Sequence, residues 1–137
     1  MENRHKGRHI LVIDDDFFIS DLLVADLTAR GYGVSVAANA RMVGRLMEQQ
    51  PPDLIVLDLM LPGMDGSEIG HLLRVHAPTA RIPVLVVSAD RRIAQKAQSF
   101  HAQGWIAKPF DLDDLAAQIA ATLDGIAPAG AAPSAGP

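Results

Sequence analysis

A chain of 137 residues that is 49% apolar is long enough for one compact domain with a real core and too short for two. Its 12 Lys and Arg against 16 acids give a net charge of −4, the wrong sign for a dedicated nucleic-acid surface. There is no cysteine, which excludes disulfides and thiolate zinc sites and points to a reducing cytosol, and no apolar run suits a signal-peptide core or a bilayer span.

Residues 1–8 read as a polar N-terminal arm. The apolar run Ile10 to Ile13 then stops at Asp14-Asp15-Asp16. Like Leu54 to Leu57 and Val84 to Val87, it is rich in Val, Ile and Leu and does not alternate. That is the pattern of strands buried on both faces of a parallel sheet. Trp105 to Ala107 is a shorter run of the same kind. Between Tyr32 and Ala37, Val34 and Val36 alternate with Gly33 and Ser35, which predicts an edge strand.

Helical patterns lie between the strands. Ile19, Leu22, Leu23 and Leu27 share one face, and Gly31 stands where a C-cap glycine would. Asn39 can cap a helix carrying Val43, Leu46 and Met47. Ile69, Leu72, Leu73 and His76 keep i, i+3, i+4, i+7 spacing. Asp111 can cap a last helix with Leu112, Leu115, Ile119 and Leu123 on one face. Arg91 to Phe100 has the weakest helical pattern. The histidines, His5 among them, read as solvated or half-buried imidazoles. Five strand-then-helix repeats with right-handed crossovers predict an open α/β sheet with helices on both faces. Residues 125–137 are almost entirely Ala, Gly and Pro, and read as a disordered tail or linker stub.

The residues at the strand ends carry the chemistry. The first strand ends in Asp14, Asp15 and Asp16, the third in Asp58, the fourth in Ser88 and the fifth in Lys108-Pro109. In open α/β sheets, ligands bind beyond the carboxyl ends of the strands. A lone Asp there is more often a helix cap, and a lone Lys more often a solvated charge. Four strands delivering such groups to one rim is hard to explain by capping. Asp14, Asp15 and Asp58 would repel one another, so the rim wants a cation. Hard carboxylate oxygens suit Mg²⁺ or Mn²⁺. Such a metal partners a phosphoryl group, whose remaining oxygens Lys108 and the Ser88 hydroxyl could hold. Carboxylates do serve as phosphoryl acceptors.

In order, these segments are Leu-Val-Ile-Asp14-Asp15-Asp16, then Leu-Asp58-Leu-Met-Leu-Pro62-Gly63-Met-Asp65-Gly66, then Val-Val-Ser88-Ala89, then Lys108-Pro109-Phe110. As a set they resemble the receiver domains of two-component response regulators, over residues 9–124. The resemblance implies a doubly wound, five-stranded parallel sheet of order 2-1-3-4-5, the flavodoxin-like receiver fold. It implies that Asp58 takes a phosphoryl group from a phosphohistidine on a sensor histidine kinase or histidine phosphotransfer protein. By position, Mg²⁺ would be held by Asp15 directly, by Asp14 through a water, and by Asp58 and the Met60 backbone carbonyl. Ser88 and Lys108 would contact the phosphoryl group, and Lys108–Pro109 would be cis. Ser88 and Trp105 would form the switch. A protein target would dock on the face of the fourth helix, fifth strand and fifth helix. The resemblance implies that the chain is not an enzyme beyond self-phosphotransfer and self-dephosphorylation. The expected protein is cytoplasmic, either a stand-alone regulator or a receiver cut from a longer regulator at the Pro/Ala linker, without direct contact with nucleic acid or membrane.

The chain also departs from the family pattern. Asp16 is a third acid, read as a cap of the helix behind it. Only 20 positions separate Ser88 from Lys108, fewer than the common family spacing, so the fourth-helix region is shortened. His101 stands where glycine is frequent, and Trp105 where Tyr or Phe is usual. Two rival readings stand beside the receiver. Ile13-Asp14-Asp15-Asp16 loosely fits the nucleophile strand of a haloacid-dehalogenase-type phosphatase using Asp14, although Phe18 stands where Thr or Val is expected and Asp58 would have no role. A receiver-fold binding module that takes no phosphate is the other, motivated by the shortened helix and Trp105 and opposed by the intact acidic, hydroxyl and ammonium set.

Overall fold

A computed structural model describes residues 3–125. The stretch from 126 onward, most of the expected tail, lies outside the described residues. The main sheet comprises β1 (His9–Ile13), β2 (Gly33–Ala37), β3 (Leu54–Leu57), β6 (Val84–Ser88) and β7 (Gly104–Ala107). All are parallel, in the order β2-β1-β3-β6-β7. Counting only these five long strands, the order is the expected 2-1-3-4-5. A hairpin of β4 (Met60–Leu61) and β5 (Met64–Asp65) is extra. It turns at Pro62-Gly63, where Gly63 takes the left-handed φ of 74°.

The unbroken apolar runs have a direct explanation. Leu11, Ile13, Ile55, Leu57, Val84 and Val86 pack on one face, against Ile69, Leu73, Ala97 and Phe100. Ile10, Val12, Leu54, Val56, Leu85 and Val87 pack on the other, against Leu23, Leu27, Leu115 and Ile119. A strand covered on both sides has no solvent face to alternate toward.

The helices start where their caps stand. Asp16 accepts the N–H groups of Phe18 and Ile19 at the head of α1 (Phe17–Ala29). Asn39 accepts from Met42 N–H before α2 (Ala40–Gln49). Asp65 forms a capping box with Glu68 on α3 (Gly66–Val75), and Asp111 caps α5 (Leu112–Leu123). These side chains satisfy donors that the first helical turn leaves unpaired. Gly31, at φ 101°, carries the chain out of α1.

Two features differ from the expectations drawn from the sequence. First, Ile69 and Leu73 are buried but Leu72 is 58% exposed, and α3 ends before His76. The reason is an apolar groove of about 740 Å³ between α2 and α3, lined by Val43, Met47, Leu72 and Val75 among others. One flank of the helical period faces this opening instead of a neighbour. Second, His5 is buried, with Nε2 2.6 Å from Asp124 Oδ1. Gly7 N–H donates to the Gly31 carbonyl, and the Asn3 amide to that of Arg30. Residues 3–8 thus fold back on the α1–β2 corner.

The weak fourth helix forms and is short, in line with the close spacing of Ser88 and Lys108. α4 (Ile93–Ser99) has no side-chain cap, and the turn after it runs through His101 at φ 60°. Arg74 on α3 secures that turn, donating to Ile82 O (2.7 Å), Phe100 O (3.1 Å) and Gln103 Oε1 (2.9 Å). Gly70 lets α3 approach α4, since a Cβ there would meet the Phe100 ring at 2.6 Å. Among the described residues, no helix is long and apolar enough to cross a membrane.

Candidate phosphoryl-acceptor site

Because the five long strands are parallel, their carboxyl ends share one rim. Asp14 comes directly after β1, Asp58 after β3 and Lys108 after β7, while Ser88 closes β6. The register pairs Ile13 with Leu57, so Asp14 and Asp58 leave the sheet side by side. Backbone bonds fix the exits: Asp58 N–H donates to Ile13 O at 2.9 Å, and Lys108 N–H to Ser88 O at 2.9 Å. The Lys108–Pro109 peptide is cis.

The Asp14 and Asp58 side chains are only 5% and 7% exposed. Two adjacent buried carboxylates are unfavourable unless a cation stands between them. Lys108 reaches across the rim to supply it, with Nζ 2.9 Å from Asp14 Oδ2 and 3.0 Å from Asp58 Oδ2. The second oxygens are also engaged. Asp14 Oδ1 accepts Asp16 N–H, and Asp58 Oδ1 accepts Met60 N–H, both at 2.9 Å. Burial pushes the Asp14 carboxyl above its ordinary range, and the Asp58 charge adds to this against the pull of Asp16 N–H and Lys108. Burial works against the Lys108 ammonium, but its bonds to Asp14 and Asp58 prevail and raise it.

Asp15 is the most solvent-open of the three acids in this group. It joins Asp14 and Asp58 in offering carboxylate oxygens that all lie within 4.8 Å of one another. A compact set of hard oxygens with one open side fits a Mg²⁺ ion that keeps some of its waters. Ser88 is fully buried. Its Oγ accepts Asp90 N–H at 3.2 Å, which leaves the hydroxyl proton free to donate. Trp105, on β7, is half-buried and packs toward the α3 and α4 side of the sheet. Asp16 is occupied in capping α1.

Two contributors are not visible in the sequence pattern. Gly66 allows α3 to start against the chain that carries Asp58: a Cβ there would lie 2.3 Å from Asp58 O and 2.6 Å from Leu59 Cα. The Asp65-Gly66 pair marks the position, but only as part of a motif. Lys96 lies 2.6 Å from Asp90 and 3.1 Å from Asp65. Asp90 is six positions from Lys96, but Asp65 comes from the hairpin before α3, so no local spacing joins all three.

Similarity to known proteins agrees with this geometry. The profile of the response regulator receiver domain matches residues 10–120. The DNA-binding dual master transcriptional regulator RpaA of Synechocystis is 43% identical over 116 residues, covering 83% of this chain and 48% of RpaA. The chain thus spans about half the length of that relative. Sporulation initiation phosphotransferase F of Bacillus subtilis is 32% identical over 106 residues, covering 77% of this chain and 86% of that protein. The CheY-like receiver domain protein of Methanospirillum hungatei has a crystal structure that superposes with a TM-score of 0.78 at 28% identity. It covers 88% of this chain and 96% of that one. Fold, ordered motifs and extended similarity agree, and the chain belongs to the response-regulator receiver domains of two-component signalling.

Proposed function

We propose that Asp58 is the phosphoryl acceptor and that the domain is a phosphorylation switch for a protein partner. The observation that carries this reading is the Asp58 carboxylate itself. It is buried, held by Met60 N–H and Lys108, and grouped with Asp14 and Asp15 at one rim. An Asp58 oxygen attacks phosphorus, a P–O bond forms as the P–N bond to a donor histidine breaks, and the imidazole leaves and regains a proton from solvent. The donor is a sensor histidine kinase or a histidine phosphotransfer protein. Lys108 and the Ser88 hydroxyl proton bind phosphoryl oxygens, which is the positioning and charge neutralisation that phosphoryl transfer requires.

Asp14, Asp15, Asp58 and the Met60 carbonyl would hold Mg²⁺ or Mn²⁺. When bound, the cation neutralises charge on the phosphoryl oxygens. Incubation with acetyl phosphate and Mg²⁺ should add one phosphoryl mass to the wild type and none to Asp58→Asn, read by intact mass spectrometry. An adduct on Asp58→Asn at the wild-type rate would remove Asp58 from the role. No adduct on the wild type would favour a receiver-fold module that takes no phosphate.

The output face is formed by α4, β7 and α5, and Trp105 is its reporter. It is the single tryptophan, and its half-buried position leaves room for a change in exposure in either direction. Ser88 is smaller than Thr, so movement of this hydroxyl toward a phosphoryl group leaves space into which the indole turns. Beryllofluoride with Mg²⁺ should therefore shift Trp105 emission to the blue, and Asp58→Asn should abolish the shift. Unchanged emission and quenching with the ligand bound would exclude an inward turn.

A further inference from the structure

A second charged cluster borders the site. Lys96 lies one turn inside α4, with Nζ 2.6 Å from Asp90 Oδ2 and 3.1 Å from Asp65 Oδ2. Asp90 is two residues beyond Ser88, and its N–H is the donor to the Ser88 hydroxyl oxygen. Asp65 lies on the hairpin strand opposite Met60, whose N–H holds Asp58. Lys96 therefore ties the segment leaving Ser88 to the segment leaving Asp58. Each carboxylate uses its other oxygen locally: Asp90 Oδ1 accepts Arg92 N–H, and Asp65 Oδ1 accepts Ser67 N–H. Among the described residues, neither has another cation within bridging distance. Lys96 holds the Asp90 carboxyl below its ordinary range. It does the same for Asp65 together with Ser67, against the opposing effect of burial.

We propose that Lys96 is a positioning residue for the phosphoryl site: its ammonium draws the Ser88 and Asp58 segments together and holds them at the separation a bound phosphoryl group needs. This rests on the reading of Asp58 as the acceptor. Without the ammonium, Asp65 and Asp90 become two like charges on one side of the site. They repel, the Ser88 segment moves outward, and an incoming phosphoryl group meets added negative charge. Partly exposed ion pairs contribute little to folding. The effect therefore belongs to ligand binding more than to melting.

Titration of the full chain with beryllofluoride in excess Mg²⁺, read by fluorine NMR, tests this. Lys96→Met should bind about five-fold more weakly, the scale of one nearby charge near a protein surface. Its melting temperature should barely move. Lys96→Arg, which keeps the cation, should retain most of the affinity. Asp65→Asn combined with Lys96→Met should recover part of the loss, because the repulsion is gone while an Asn still caps α3. Wild-type affinity in Lys96→Met overturns the inference. So does an equal loss in Lys96→Arg, or a double variant that binds no better than Lys96→Met. If the wild type itself binds no beryllofluoride, the acceptor reading fails, and the role of Lys96 with it.

Discussion

Gly66→Ala should be among the most damaging single substitutions in this domain, by about 3 kcal/mol, the upper range for forcing atoms into a packed interior. The added Cβ would sit 2.3 Å from Asp58 O and 2.6 Å from Leu59 Cα. Both are backbone atoms, so no side-chain rotation relieves the contact. α3 must pull away from the end of β3, and the Gly66 N–H bond to Leu59 O at 2.8 Å must lengthen. Urea unfolding measures the stability, and acetyl phosphate labelling measures the site. Both should fall together, because the atom struck is the Asp58 carbonyl. Gly44→Ala is the matched control. Gly44 lies within α2 with nothing within 4 Å of an added Cβ. There the same change should stabilise by about 0.5–1 kcal/mol, since alanine loses less entropy in a helix. Equal effects at the two sites would show that the close approach at Gly66 is not tight.

Lys108→Ala should cost the metal-free protein about 3 kcal/mol at neutral pH, the usual result of removing one partner from a buried ion cluster. It leaves Asp14 and Asp58 adjacent, buried and without their shared cation. The pH dependence has a definite sign. The raised Lys108 pKa means its contribution is fully present at neutral pH and is lost only as pH rises through its folded value. In the variant, Asp14 is already displaced upward by burial and loses the ammonium that opposed this. The folded state then binds a proton more readily than the unfolded chain, so its stability grows as pH falls through the folded Asp14 pKa. The gap to the wild type should narrow in mild acid. Millimolar Mg²⁺ should narrow it at neutral pH by supplying the missing charge. A gap that ignores both acid and Mg²⁺ would mean that the loss comes from the packing of the lysine stem.

The layered fold and the identity of the groups at its rim are legible in the amino-acid order alone. Strands buried on both faces have to be unbroken apolar runs, so the positions where they end are visible as the first polar residues. Asp14, Asp58, Ser88 and Lys108 stand out for that reason. The caps Asp16, Asn39 and Asp111 stand out because a first helical turn needs an acceptor within three residues. The short α4 shows itself in the close spacing of Ser88 and Lys108.

How these groups meet is a property of the folded chain. Lys108 bonds Asp14 and Asp58 across 94 and 50 positions, a contact set by strand order and register. Helical period puts Leu72 on an apolar face, but a period cannot say whether that face meets a neighbour or a groove. His5 is buried because the arm turns back onto Asp124, 119 positions away. Lys96 spans two loops that no repeat relates, and Gly66 matters for what lies 2.3 Å from its added Cβ. Contacts of that kind depend on which segments the chain has brought together, and sequence spacing carries no record of them.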